Sequence, residues 1–315
     1  MTAIEAVRHP AVTRQLLELC RQRPGTVAIA GLAGMEQVSY PQLADFTMSV
    51  AAALMRRGLR DRDVVATYLA DAASHVVATH AIRAAEAVPS PVAPCRTVLE
   101  IAGQLADCGA RILLTSPELA VTALAAADRS WVRQVITFGE AAGTVNLFSI
   151  VPAGAVPCAG ERPAVMPATA AGPAQPAGPA APAAPAEPAG ADLAETADVQ
   201  PDDIALLPYD REPGGTLAAR PVTSLGLARH LGELAGAVRV GPEDVVVAAP
   251  PAGDGLRYTA ILDHMLLSGA TIVARSAAQL AAGDFGGYRA TAALVPAGAD
   301  IGGPRDLLRT FTISG

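Results

Sequence analysis

The segment VSYPQLADFTMSVAAALMRRGLRDRDVVATYLADAASHVVATHAIRAAEAVPSPV, Val38–Val92, sets the reading of the whole chain. Ser39 and Gln42 stand three apart at the start of an apolar-periodic run, which is a capping box. Leu43, Phe46, Val50 and Leu54 then recur at helical spacing, and Gly58 stops the run. DVVATYL follows as a short apolar strand with both faces buried. AASHVVATHAIRAAEA is a second helix and VPSPV a second strand. A strand, a helix and a strand joined by short connections predict a βαβ unit and a parallel sheet.

Working outward from that unit, the rhythm continues. TVLEIAGQLADCG reads as a helix, RILLTS as a strand, and Ser116-Pro117 open a short helix over PELAVTALAAA. RQVITF closes this series near residue 150. From about residue 200 the strands are DIALLPY, DVVVAAP, TIVARS, ATAALVP and TFTIS. Helices are predicted over Thr223–Val238, Tyr258–Ser268 and Ala277–Ala282, with Gly269 as a C-cap. Between the two series lies a different composition. Ten prolines fall between Pro152 and Pro188 amid alanine and glycine, and such a stretch can neither build a core nor carry a helical stripe. The expectation is three parts: an α/β subdomain over 1–150, a disordered Pro/Ala/Gly-rich linker or insertion over 151–199, and a second α/β subdomain over 200–315. The fold class is α/β, doubly wound, with mostly parallel sheets and helices on both faces. The two flanking halves are able to share a sheet.

Composition narrows the functions. Aromatic residues are 3% of 315 and hydrophobic residues 51%, a core of Ala, Val and Leu that suits parallel sheets. A formal net charge of -7 argues against nucleic acid or an anionic membrane as partner. Every basic side chain apart from histidine is arginine; the sequence has no lysine, so no lysine chemistry runs on this chain alone. Cys20, Cys95, Cys108 and Cys158 form no C-x-x-C pair and read as thiols of a reducing cytoplasm. The N-terminal MTAIEAVRHPAVTRQ has charges and no apolar core, so no signal peptide is read, and no apolar run predicts a membrane span.

Several polar groups are of types that carry chemistry. His75 and His80, five apart on one helix, point in different directions and read as satisfied or exposed histidines. Asp263 and His264 are neighbours whose side chains diverge. Ser74 and Ser224 read as helix-start residues, Asp202-Asp203 and Glu243-Asp244 as turns and caps, and Asp254 stands alone in a loop. No metal cluster and no Gly-x-Ser-x-Gly elbow is present. YDREPGGTLAARPV, Tyr209–Val222, has the place of a phosphate-cradling turn, with an apolar strand before it and a helix after it.

Taken together, these blocks resemble the AMP-forming acyl-CoA synthetases and adenylation domains, in their N-terminal part. The resemblance rests on Tyr40 and Leu43, Gly58, Arg62-Asp63, Glu86-Ala87-Val88-Pro89-Ser90-Pro91, ADCGARILLTSPELA, and the order of the blocks from DDIALLPY to RDLLRTFTISG. It implies a fold that joins a carboxylate to ATP with Mg²⁺ and passes the acyl group to a thiol. The family's phosphate loop reads close to Tyr-Ser-Ser-Gly-Thr-Thr-Gly-x-Pro-Lys-Gly. Laid on it without gaps, Tyr209 and Gly215 agree, while Asp210, Arg211, Pro213 and Gly214 replace the hydroxyl positions and Ala218 replaces the lysine. Asp210 and Glu212 put carboxylates where phosphate oxygens belong. At about 4 Å and an effective dielectric near 20, like charges cost roughly 4 kcal/mol. Pro213 also removes an N–H from the cradle.

The vestigial nucleotide-binding residues are therefore Tyr209, Gly214, Gly215 and Thr216, with Arg211 or Arg220 standing in for the lysine. Against this stands a plain surface turn that needs glycine for its backbone, with the arginines solvated or paired to Asp210 and Glu212. Pro250, Pro251, Ala252, Gly253 and Asp254 replace the family's usual Leu-Pro-Leu-Phe-His, and the later motifs and the C-terminal domain would fall beyond Gly315. The reading that follows is a truncated, catalytically inactive member acting as an interaction or regulatory module, with ATP binding doubtful. Two others stay open: half of a split ligase completed by another chain, and a small-molecule carrier or sensor. An open sheet edge favours a partner, a homo- or a hetero-oligomer.

Overall fold

The computed structural model describes residues 11–33, 35–157, 203–250, 253, 255–285, 287–296 and 309–313. The Pro/Ala-rich segment from residue 158 to 199, Cys158, Asp202, Pro251, Ala252 and Asp254 lie outside the described residues.

Capping decides where the helices begin. Helix α2, Tyr40–Arg56, starts at Ser39, whose side chain accepts from the Gln42 amide while Gln42 caps the Ser39 amide in return. Its stripe Leu43, Phe46, Val50 and Leu54 is buried, and Gly58 beyond its end takes a φ of +95°, a conformation open to glycine at no steric cost. Helix α4, Val98–Asp107, repeats the capping box with Thr97 and Glu100. Helices α3, Ala72–Ala84, and α7, Ser224–Ala237, are capped by Asp71 and Thr223, so Ser74 and Ser224 sit one to three residues inside the helices they open. Ser116 does not cap the turn at Pro117–Leu119. Its hydroxyl instead accepts the Ala70 N–H at 2.9 Å and ties two strand ends together.

Two sheets result. The first is five-stranded and parallel, in spatial order β4 (Val88–Pro91), β3 (Val64–Tyr68), β5 (Ile112–Thr115), β6 (Gln134–Thr137) and β7 (Val145–Asn146). The second is six-stranded, in order β15 (Arg309–Ile313), β14 (Ala292–Pro296), β12 (Val245–Ala248), β13 (Thr271–Ala274), β1 (Val27–Leu32) and β2 (Met35–Ser39). It is parallel throughout except for the β1–β2 hairpin. Both orders reverse direction inside the sheet, the mark of a doubly wound fold. The second sheet joins strands from both sides of the Pro/Ala segment, Ile29 pairing with Ile272. The β1–β2 hairpin was not visible in the sequence reading.

The sheets sandwich a helical layer. Helix α3 contacts β3 and β4 on one side and β1, β13 and α8, Gly255–Leu267, on the other. Every residue of α3 is buried, as expected for a helix packed all round. Strand residues divide accordingly. Val65 and Leu114 face this layer, whereas Ala66 and Leu113 face α4 and α5, Ala120–Ala127. Val246 and Ala248 face the layer, and Val247 faces Leu280 of α9, Ala277–Ala281. Burial on both faces explains why these strands read as continuous apolar runs rather than alternating ones.

Polar groups lock the layer. Arg83 and Asp263 are 0% and 2% exposed, and the Arg83 Nη1 donates to Asp263 Oδ2 at 2.8 Å. Arg83 Nε donates to the Ala205 carbonyl at 3.1 Å. His80 Nε2 lies 3.2 Å from Asp263 Oδ1, and its Nδ1 contacts Thr13 Oγ1 of α1, Ala11–Gln22, at 3.1 Å. His75 Nε2 meets Thr259 Oγ1 at 2.8 Å. That hydroxyl gives its own proton to the Gly255 carbonyl, so the imidazole is the donor. His75 is thus satisfied inside the core, while His80 Nε2 lies against the Asp263 carboxylate without a hydrogen bond to it. His264 turns the other way, to the Val238 carbonyl at 2.8 Å. Tyr40, at the start of α2, directs its hydroxyl at the Leu266 and Ala270 carbonyls at 3.0 and 2.8 Å, satisfying groups left over at the end of α8.

Candidate functional site

The glycine pair of YDREPGGTLAARPV lies between two strands, not between a strand and a helix. DIALLPY is not one strand. It breaks at Leu207-Pro208 into β8, Ile204–Leu206, and β9, Tyr209–Arg211. The chain then returns through β10, Leu217–Ala219, and β11, Val222–Thr223, before α7 begins. β9 pairs antiparallel with β10 (Arg211 with Leu217, Tyr209 with Ala219), and β11 pairs with β8. The result is a broken hairpin arm. Its base docks on β4, where Leu207 N–H donates to the Pro89 carbonyl at 2.9 Å and Ser90 Oγ donates to the Leu207 carbonyl at 2.8 Å.

The arm lies over α4. The Tyr209 ring is 5% exposed and its hydroxyl donates to Asp107. Burial, reinforced by that carboxylate, pushes the phenol well above its ordinary range. Arg96 reaches the Tyr209 carbonyl at 3.3 Å, and Arg211 pairs with Glu100. The Thr97 backbone amide, with Arg211 beside it, holds the Glu100 carboxyl down at about 2.

At the tip, Asp210, Arg211, Glu212, Pro213, Gly214, Gly215 and Thr216 are all exposed. The turn satisfies itself. Glu212 N–H donates to the Thr216 carbonyl at 2.9 Å, Gly215 N–H to the Glu212 carbonyl at 2.8 Å, and Arg211 Nη1 to the Gly215 carbonyl at 2.7 Å. Gly215 has a φ of +86° and nothing within 4 Å of where a Cβ would stand, so the glycine serves the turn's backbone rather than a close approach. Arg220 sits 3.8 Å from Asp210 and 4.0 Å from Glu212. Two donors that a phosphate would need are therefore used inside the turn. The remaining cation faces the two acids, and Arg211 is engaged with α4.

The sheet ends where doubly wound folds place ligands are differently furnished. At the reversal in the first sheet, the ends of β3 and β5 are bridged by the Ala70–Ser116 hydrogen bond. At the reversal in the second, Ala249 N–H donates to the Leu294 carbonyl, and Pro251, Ala252, Asp254 and residues 297–308 beyond it are outside the described residues. Among the described residues, no group of three His, Cys, Asp or Glu side chains is placed to hold a metal. No helix among them is long and apolar enough to cross a membrane. Cys20 is buried, which raises its thiol to about 12, while Cys95 is exposed.

This architecture, with a helical layer between two doubly wound sheets, is shared with known proteins. The family model for AMP-binding enzymes matches residues 16–210, and the chain belongs to that family. A long-chain-fatty-acid-CoA ligase from Archaeoglobus fulgidus superposes with a TM-score of 0.66 at 17% identity, over 93% of this chain and 53% of its own. An anthranilate CoA ligase in complex with anthranoyl-AMP gives 0.64 at 16%, over 94% and 50%. ATP-bound MatB from Rhodopseudomonas palustris gives 0.62 at 21%, over 92% and 50%. The chain spans about half the length of these structures, and the likeness fixes the fold. None of the curated proteins compared with the chain matches it.

Proposed function

We propose that this chain is a member of the AMP-binding family that does not form an acyl-adenylate by itself and acts as an interaction or regulatory module. The observation that carries this reading is the self-satisfied, acid-bearing hairpin at Tyr209–Thr216. Asp210 and Glu212 put carboxylates where phosphate oxygens would lie, their partner is Arg220, and the Gly215 amide is already bonded. Adenylation depends on preorganised donors and a cation at the charge that develops, and the lysine-free sequence offers that position Ala218. On this reading Tyr209, Gly214, Gly215 and Thr216 are the remains of a nucleotide loop, and ATP with Mg²⁺ is not a ligand of the single chain. The test is substrate-dependent exchange of labelled pyrophosphate into ATP by the purified chain, over a panel of fatty, aryl and dicarboxylic acids. No exchange is expected; exchange above a boiled control would sink the reading.

The coverage of about half of each matched structure supports a second reading, a split acyl-activating ligase completed by another chain. β15 is the outermost strand of its sheet among the described residues and offers an unpaired edge to such a partner. Under that reading, exchange returns only when the complementing polypeptide is added.

A further inference from the structure

We propose that a cleft at the opposite end of the first sheet, lined by Arg57, Arg111 and Arg133, is a binding site for a compact phosphate-type polyanion. The cleft has a volume of about 190 Å³ and lies where β3, β5 and β6 begin, its wall completed by Gly58, Leu59, Asp63, Val64, Gly109, Ile112 and Gln134. It is thus far along the strands from the hairpin arm and from the ends where the fold's usual ligands sit.

The strand register carries the argument. Ile112 pairs with Gln134 in the parallel β5–β6 ladder, and the Arg133 N–H donates to the Arg111 carbonyl at 2.8 Å. Arg111 and Arg133 are therefore cross-strand neighbours, one step before that pair, and both residues line the same cleft. Like charges placed side by side on adjacent strands repel. Neither guanidinium has a hydrogen bond or ion pair among the described residues. The third arginine is held in place. Arg57 Nη1 donates to Gln134 Oε1 at 2.9 Å while Gln134 Nε2 donates to the Arg57 carbonyl at 3.1 Å. Gln134 thereby fixes Arg57 at the edge of the cleft.

Opposing charge is scarce. Among the described residues Asp63 is the one carboxylate that lines the cleft, and its Oδ2 already accepts the Arg60 N–H at 2.9 Å. The C-terminal ends of α2 and α4 converge here, and their negative ends hold part of the arginine charge. They do not supply the planar pairs of acceptors that guanidinium forks match, which a phosphate does. The volume decides the class. Sites that enclose drug-sized ligands run from about 300 to 1,000 Å³, so this cleft suits inorganic phosphates or one phosphate group of a larger molecule rather than a whole nucleotide.

The test is calorimetric titration of the full chain with sodium pyrophosphate at fixed ionic strength, beside Arg111→Ala, Arg133→Ala, the double variant and Arg211→Ala. Saturable one-site binding is expected. Each cleft arginine contributes a charged hydrogen-bonding pair, so each single variant should bind about tenfold more weakly. Arg211→Ala, on the hairpin, should bind as the unaltered chain does. A second readout needs no ligand: Arg111→Gln should raise the midpoint of thermal unfolding at low salt, because it removes the cross-strand repulsion. Absence of saturable binding, binding equally weakened by sodium chloride at matched ionic strength, or binding retained in the double variant would each overturn the assignment. These outcomes are independent of pyrophosphate exchange, so the cleft and the hairpin are judged separately.

Discussion

Replacing Asp263 by Asn tests how the two halves of the chain are held together. The side chain keeps its volume and loses its charge. Arg83, fully buried, then keeps its bond to the Ala205 carbonyl but faces no carboxylate, and its Nη2 has no partner among the described residues. Breaking a buried ion pair from one side costs about 3–5 kcal/mol, because a charge is left unpaired in the core. For a domain of this size about 1 kcal/mol moves the unfolding midpoint by about 2–4 °C, so Asp263→Asn should lower it by on the order of 10 °C. The companion double variant, Arg83→Met with Asp263→Leu, removes both charges. Its cost should fall well below the sum of the single variants Arg83→Met and Asp263→Leu, since neither charge is then stranded. Thermal unfolding at neutral pH gives the midpoint shift and urea unfolding gives the free energies, both followed by circular dichroism. Additivity of the two single variants within about 0.5 kcal/mol would refute the reasoning, as would a near-silent Asp263→Asn.

Further outcomes follow from the same layer and its neighbours. Burial, reinforced by Arg83 and His80 and opposed by Asp263, holds the His75 imidazole down at about 4. The unfolded chain, with a value near 6.5, takes up the proton first, so stability should fall as pH drops from about 6.5 through 4, by roughly 3 kcal/mol in all; His75→Gln should flatten that slope in unfolding titrations. The Asp263 carboxyl is pushed up by burial, but Arg83 and His80 outweigh this and leave it at about 2, so a further loss should appear as pH falls from about 4 toward 2 and be missing in Asp263→Asn. Gly31 and Gly215 have φ of +85° and +86°, but a Cβ at Gly31 would stand 2.9 Å from the Ala274 carbonyl oxygen whereas one at Gly215 meets nothing within 4 Å. Gly215→Ala should therefore cost about 1 kcal/mol of backbone strain and Gly31→Ala clearly more, in the same urea assay.

What the sequence made legible was local. Ser39 with Gln42, and the stripe from Leu43 to Leu54, needed only residues within one helix, and helix and stripe stand where they were read. The parallel strands announced themselves as apolar runs because both faces are covered. Arg83 was invisible as a buried residue because its partners, Ala205 and Asp263, lie far along the chain on other elements. The hairpin was misplaced for two reasons. Pro208 has no N–H to donate and interrupts what reads as one strand. Leu217-Ala218-Ala219 has no β-branched or aromatic residue to mark it as a strand. A pairing signal was nevertheless present, in the glycine pair that ends in a residue of positive φ. The arginine cleft was missed because Arg111 and Arg133 are 22 positions apart and meet only through the strand register.

The account's central claim is that the hairpin at Tyr209–Thr216 no longer holds a nucleotide phosphate. Thermal unfolding with and without millimolar ATP and Mg²⁺ tests it most directly, done in the Arg111→Ala/Arg133→Ala background so that the cleft cannot take the phosphates. A ligand at 100 times its dissociation constant adds about 2.7 kcal/mol, a shift of several degrees for a chain of this size. The account predicts no shift. A rise of several degrees that disappears on replacing Thr216 and Arg220 by Ala would contradict it.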